Sequence, residues 1–216
     1  MSFQRLAIAF SVSVFFIYVG LILSLFYFFQ GSLFWQTLFS ERTLFSLCLS
    51  IATATIVAVC SMFFALPSAY ALSRYHFFGR QLIDTLLELP MIVSPVALGA
   101  MILIFLNTPA GQFIQNRGIH FIFTIYGILI AQFVTTVGVA TRLIKAVFDE
   151  IPQRYEELAW TLGTSDARTF FTVVIPMSKQ GITMSFILTW AKALGEFGAT
   201  LTVAGSMAMK TETLPI

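Results

Sequence analysis

Apolar positions in this chain come in long, nearly uncharged blocks instead of alternating with polar ones. Leu6 to Phe29, Thr43 to Leu66, about Leu86 to Leu106 and Ile119 to Thr141 each supply the length needed to cross a hydrocarbon core about 30 Å thick. A fifth block, Gly181 to about Val203, is apolar at first and polar in its second half. Backbone groups in lipid must pair within their own segment, so each block predicts a continuous helix. The alternation of barrel strands is absent. The expected fold is an all-α polytopic membrane protein forming one domain over residues 1–216. The first block is long for a signal peptide, and no small-residue cleavage site follows Phe29-Gln30-Gly31, so it reads as a retained span.

Composition strengthens this picture. Hydrophobic residues make up 58% of the chain and charged residues 10%, against about a quarter charged in soluble domains. The net charge of +2 gives no case for nucleic acid; the distribution of charge says more. With the N-terminus cytoplasmic, Arg5, Arg74, Arg80, Arg142, Lys145, Arg154, Arg168 and Lys179 all fall on one side. Arg42, Arg117 and Lys210 fall opposite, and Lys192 lies within the fifth block. The positive-inside tendency therefore predicts a cytoplasmic N-terminus and puts Asn107 to Gly118, with its Thr-Pro-Ala-Gly turn material, outside. Cys48 and Cys60 lie in one apolar run without metal spacing and read as small packing residues.

Residues 142–180 contain no run long enough to cross a membrane. Pro152 suits the first turn of a short helix, where its missing N–H costs nothing. Glu156 and Glu157 favour the positive end of that helix. Tyr155, Leu158, Ala159 and Leu162 recur at helical spacing as a weakly apolar face. Gly163 is placed to stop the helix in a left-handed conformation. A second segment, about Ser165 to Val174, is expected to end before Pro176. The residues alone allow two readings: an interfacial amphipathic linker, or an apolar knob that fills a groove on a soluble partner.

The fifth block carries the informative intramembrane polar groups, in Thr189-Trp190-Ala191-Lys192-Ala193-Leu194-Gly195-Glu196-Phe197-Gly198-Ala199-Thr200-Leu201. Ionisable groups at membrane depth usually face a cavity or each other. Lys192 and Glu196 are four apart, so pairing on one helical face is one reading. The other is that Lys192, Gly195, Glu196, Phe197, Gly198 and Thr200 line a pathway or gate. Ala193, Gly195, Gly198 and Ala199 would let another helix approach closely, or let this span bend or break.

The insert resembles the "EAA, three residues, Gly, nine residues, Ile-x-Leu-Pro" signature of ABC importer permeases. Glu157 stands at its Glu, Leu158 and Ala159 at its two Ala positions, Gly163 at its Gly, and Val173, Ile175 and Pro176 at Ile, Leu and Pro. The segment Ala193 to Thr200 is similar to the "ALGEFGAT" region of molybdate and tungstate permeases, and more loosely to the "MGEFGA" region of sulfate and thiosulfate permeases. Val203-Ala204-Gly205 and Lys210 to Pro215 resemble the molybdate branch as well. So do Leu89-Pro90 with Pro95 and Gly99, where Ser94 replaces the first proline of a pair, and Arg74 with Gly79-Arg80. The likeness covers about Arg74 to Ile216.

It implies a type I, molybdate- or sulfate-like ABC importer permease, with residues 142–180 as its cytoplasmic coupling-loop region. It further implies a pair of cytoplasmic ATP-binding subunits, a second permease copy forming a homodimer, and an extracytoplasmic oxyanion-binding protein. ATP and Mg²⁺ would sit on the ATPase, and this subunit would bind no cofactor or metal itself; it carries no GxxxxGK[ST] loop. Another span normally follows in the family, and the chain stops at Thr213-Leu214-Pro215-Ile216 without one, so C-terminal truncation is expected. A structural membrane protein, a channel and a secondary transporter remain rival readings that leave the motif spacing unexplained. An intramembrane enzyme is weaker, because His76 and His120 are isolated.

Overall fold

The computed structural model describes residues 3–27, 31–116, 121–207 and 209–214; Arg117, Ile119, His120, Pro215 and Ile216 lie outside the described residues. Among the described residues every regular element is helical. The chain divides into two compact units, residues 1–44 and 45–216.

The first unit holds α1 (Phe3–Tyr27) and α2 (Gly31–Leu38). α1 exposes Phe10, Phe15, Ile17, Leu21 and Phe26 around its circumference, as a helix solvated by lipid does. On α2, Trp35 stacks on Phe39. Ser40 then opens α3 (Glu41–Arg74), its Oγ accepting from the Thr43 N–H.

In the second unit α3 continues past Leu66, through Pro67, to Arg74. It presents a buried stripe of small residues, including Ser46, Ser50, Ala54, Ala58, Ser61, Ala65 and Ala69, which permits close helix packing without a hydrophobic driving force. α8 (Ile125–Asp149) is the one unbroken long helix beside it, and the two exchange a hydroxyl contact, Ser61 to Thr136 at 3.0 Å. α8 extends well beyond Thr141, so the first turns of residues 142–180 belong to a span helix and not to the insert.

Two expected spans are not continuous. The third divides into α4 (Arg80–Leu86), α5 (Leu89–Ile92) and α6 (Pro95–Asn107), with a 118° change of direction at Val93-Ser94. Its cause is local: a residue before proline resists the helical region, and Ser94 is extended. Ser94 Oγ accepts from the Ala97 N–H while Pro95 occupies the first turn. The fifth begins as α12 (Lys179–Leu194), breaks at Gly195 to Phe197, and resumes as α13 (Gly198–Ala204). The expected outer turn after Asn107 is instead a short helix, α7 (Pro109–Gln115), which Thr108 caps through the Gly111 N–H. Cys48 and Cys60 are both exposed on α3, so neither packs into the core as expected.

Close approach, more than large side chains, joins α6, α8 and α13. A Cβ on Gly99 would lie 2.7 Å from Thr202 Cβ and 3.0 Å from Ala199 Cα; one on Gly127 would lie 3.3 Å from Val203 Cγ1. Ile102, Leu106, Ala131, Ala199 and Val203 form the core between these helices. A second core, of Met62, Ala65, Tyr70, Ile144, Phe148 and Val174, joins α3 and α8 to the insert. At the same end of α8, Arg142 bridges Asp84 (3.1 Å) and Glu88 (2.6 Å), while Lys145 reaches Asp84 (3.5 Å) and Asp149 (3.7 Å). These cations thus fix α4 and α5 against α8.

Candidate functional site: a helical insert and a broken-helix cleft

After α8 the chain turns at Ile151-Pro152 and forms α9 (Arg154–Thr161). Pro152 lies just ahead of this helix and not inside its first turn; its carbonyl accepts from the Tyr155 N–H at 3.3 Å. Glu156 and Glu157 occupy the first turn, near the positive helix end, but their fates differ. Glu156 is 1% exposed, whereas Glu157 faces outward. The apolar face expected from spacing also divides. Ala159 is buried, while Tyr155, Leu158 and Leu162 are exposed, Leu162 by 84%. The inward register is therefore Glu156 and Ala159; Leu158 and Leu162, four apart, form an apolar knob on the outside, and Trp160 is exposed on another flank of the helix.

Gly163 ends α9 with φ +82°. Its N–H bonds the Trp160 carbonyl at 2.9 Å and the Thr164 N–H bonds the Ala159 carbonyl at 3.2 Å, the paired contacts of a Schellman cap. Thr164 Oγ1 adds a bond to the Ala159 carbonyl and a contact to Thr169 Oγ1. The following segment, α10 (Asp166–Thr169), does not stop before Pro176. It widens into a π-helical turn at Phe170–Val174 and continues as α11 (Ile175–Met177). Pro176 sits in the first turn of α11, where its missing N–H is harmless, and the chain turns by 77° into α12. Of the motif positions here, Val173 and Ile175 are half-buried and Pro176 is exposed; the fully buried anchor is Val174.

The second zone lies where the two broken spans meet. Pro95 and Val96 from the start of α6, with Lys192, Gly195, Glu196, Phe197 and Gly198 from the α12–α13 break, line a cleft of about 490 Å³. Among the described residues Lys192 and Glu196 make no ion pair, because the break removes them from a common helical face. Glu196 is buried and turns back, its Oε1 accepting from the Ala199 N–H at 3.1 Å. That bond satisfies an N–H at the start of α13. Lys192 remains half-buried on the cleft wall. Thr200 is not on that wall: it is fully buried, and its Oγ1 makes no hydrogen bond within the described chain.

Gln132 was not singled out by the sequence reading. It is 1% exposed on α8, donates to the Ala193 carbonyl at 3.1 Å just ahead of the break, and leaves its Oε1 unpaired. A lone amide within an apolar span was the available signal. His76 bonds Arg80 at 2.9 Å, and among the described residues no group of His, Cys, Asp and Glu has the form of a metal site.

Known proteins share this arrangement of sequence. Residues 61–214 match the family described as binding-protein-dependent transport system inner membrane component. The chain is 31% identical over 190 residues to the probable transport system permease protein NifC of Clostridium pasteurianum, which covers 86% of this chain and 66% of that protein. It is 35% identical over 167 residues to the molybdenum transport system permease protein ModB of Haemophilus influenzae, 74% of this chain and 73% of that protein. To the sulfate transport system permease protein CysW of a Synechocystis species it is 36% identical over 170 residues, 78% of this chain and 62% of that protein. For the first and third of these the chain spans less than two thirds of the relative's own length. The family match covers well over half of the chain and takes in both the insert and the cleft, so the chain belongs to the binding-protein-dependent inner-membrane transport components, the ABC importer permeases, and is a multi-pass membrane permease.

Proposed function

We propose that this chain forms the translocation pathway of an ATP-driven importer for molybdate or the similar dianion tungstate. The observation that carries the importer reading is the exposed apolar knob Leu158 and Leu162, set on a helix that Gly163 ends in a left-handed cap. A groove on a cytoplasmic ATP-binding subunit is its partner, one subunit of a pair. ATP and Mg²⁺ belong to that pair. A second copy of this chain completes the pathway, an extracytoplasmic oxyanion-binding protein delivers the substrate, and the N-terminus is cytoplasmic. Nucleotide binding closes the ATPase pair and moves α9, and the cleft between the broken spans opens alternately to each side.

An anionic cargo is supported by Lys192, which faces the cleft without a carboxylate partner among the described residues. A sulfate or thiosulfate importer is the second reading, because sulfate permeases match at similar identity. The test is uptake of labelled molybdate into proteoliposomes that carry the full-length permease with its neighbouring ATPase and binding protein. ATP-dependent uptake displaced by tungstate and not by sulfate supports the molybdate reading; the reverse order of competition transfers the assignment to sulfate. A complex that hydrolyses ATP and moves none of them overturns the substrate class.

Gly163→Ala in the same assay isolates the cap. An added Cβ meets nothing within 4 Å in this chain, so its cost is the left-handed backbone, about 1 kcal/mol. We expect uptake to fall about fivefold. Unchanged uptake would mean that the cap does not set the knob's position.

A further inference from the structure

We infer that Glu156 is a positioning residue: with Arg74 and Tyr70 it braces the coupling helix against the end of α3, so that displacement of α9 is passed to the span instead of being absorbed by the loop. The inference rests on the importer reading above. Tyr70 Oη donates to Glu156 Oε2 at 2.6 Å and Arg74 Nε donates to Glu156 Oε1 at 2.6 Å, so both carboxylate oxygens are held by the last turn of α3. Arg74 Nη2 also donates to the Ile151 carbonyl at 2.9 Å, fixing the point where the chain leaves α8. One guanidinium therefore ties together α3, the end of α8 and the start of α9.

Aromatic packing closes the joint. The Tyr70 ring lies 4.8 Å from Phe170 and 6.1 Å from Phe148, which brings the π-helical turn and α8 into the same cluster. The Arg74 and Glu156 side chains are 7% and 2% exposed. A buried ion pair is weak evidence for stability, since apolar residues of similar volume often do as well. What it supplies is direction: two charge-assisted bonds with fixed geometry couple α9 to α3 in a way that apolar contact, free to slide, does not. The outward knob and Glu157 take no part in it. The two adjacent glutamates thus divide the work, Glu157 on the partner's side and Glu156 on the membrane side.

The test reads motion and not cargo. In the full complex, a chain carrying Cys48→Ala, Cys60→Ala and Val96→Cys places one thiol on the cleft, and its rate of maleimide labelling is compared with and without ATP on the ATPase. In the parent chain the rate changes with nucleotide. With Glu156→Gln, with Arg74→Gln and with both together, the ATPase still co-purifies, and the nucleotide-dependent change per ATP hydrolysed falls about tenfold in all three. Equal loss in the singles and the double is the mark of one shared connection. Tyr70→Phe, which removes a single hydroxyl, lowers it two- to threefold and decides the matter if the charge variants fold poorly. A full nucleotide response in Tyr70→Phe and Glu156→Gln overturns the brace. So does failure of folded Glu156→Gln to bind the ATPase, which would place Glu156 at the docking surface. A parent chain that binds no ATPase at all sinks the importer reading itself, a different result.

Discussion

Leu162→Asp is expected to abolish co-purification of the ATP-binding subunit with this permease and, with it, ATP-dependent uptake. Leu162 is 84% exposed at the end of α9, next to Leu158 at 59%. A single exposed leucine is unremarkable; two four apart on one face, ahead of a left-handed glycine, form a knob with a defined shape. Burying a leucine side chain contributes about 1.5–3 kcal/mol, and a carboxylate carried into the same groove adds a desolvation cost of its own. A loss of about 3 kcal/mol per docked copy weakens binding on the order of a hundredfold. The permease should remain folded, because Leu162 packs against nothing that its loss would uncover. Pull-down from detergent, with circular dichroism on the variant alone, separates the two effects. Normal association of Leu162→Asp would show that the knob faces lipid, as an interfacial linker would.

The features legible in the sequence were those with a one-dimensional signal. Span positions followed from block length, and the stop at Gly163 followed from a glycine after a helical stretch; both α8 and the Schellman cap agree with those rules. The break in the third span was also written there, in Ser94-Pro95, but block hydropathy outweighed it: a window average cannot register a single capping residue. The orientation of α9 was harder to read. Hydrophobic spacing put Tyr155, Leu158, Ala159 and Leu162 on one weakly apolar face without fixing which way it turns, whereas Arg74 and Tyr70, some eighty positions upstream, draw Glu156 in and leave Tyr155, Leu158 and Leu162 outside. A charge partner that distant in sequence decides an orientation that the weak amphipathic pattern leaves open, and no local rule reveals it. Lys192 and Glu196 failed for the opposite reason. The four-residue rule presumes an intact helix, and Gly195 removed it.

The two glycines of that break, equivalent in the sequence pattern, should respond to substitution very differently. A Cβ on Gly195 would find its nearest neighbour, the Ala191 carbonyl oxygen, at an ordinary 3.5 Å. A Cβ on Gly198 would lie 2.9 Å from Pro95 Cβ and 3.1 Å from both Val96 Cγ2 and the Val96 nitrogen. Neither a pyrrolidine ring nor a backbone nitrogen gives way as a flexible side chain does. Nor can α13 simply move away from α6, because α8 packs against it as well: a Cβ on Gly127 would already lie 3.3 Å from Val203 Cγ1. Gly198→Val is therefore expected to cost about 3 kcal/mol, the upper end for overpacking, which lowers the melting temperature in detergent by about 6–12 °C. Uptake should disappear, because the contact that closes the cleft is the one forced apart. Gly198→Ala should lie between, and Gly195→Ala should melt within about 2 °C of the parent. Association with the ATPase, assigned above to α9 and not to this break, should survive in all of them. Equal melting temperatures for Gly195→Ala and Gly198→Val would mean that α6 and α13 do not meet at their breaks, and that the pathway lies elsewhere in the chain.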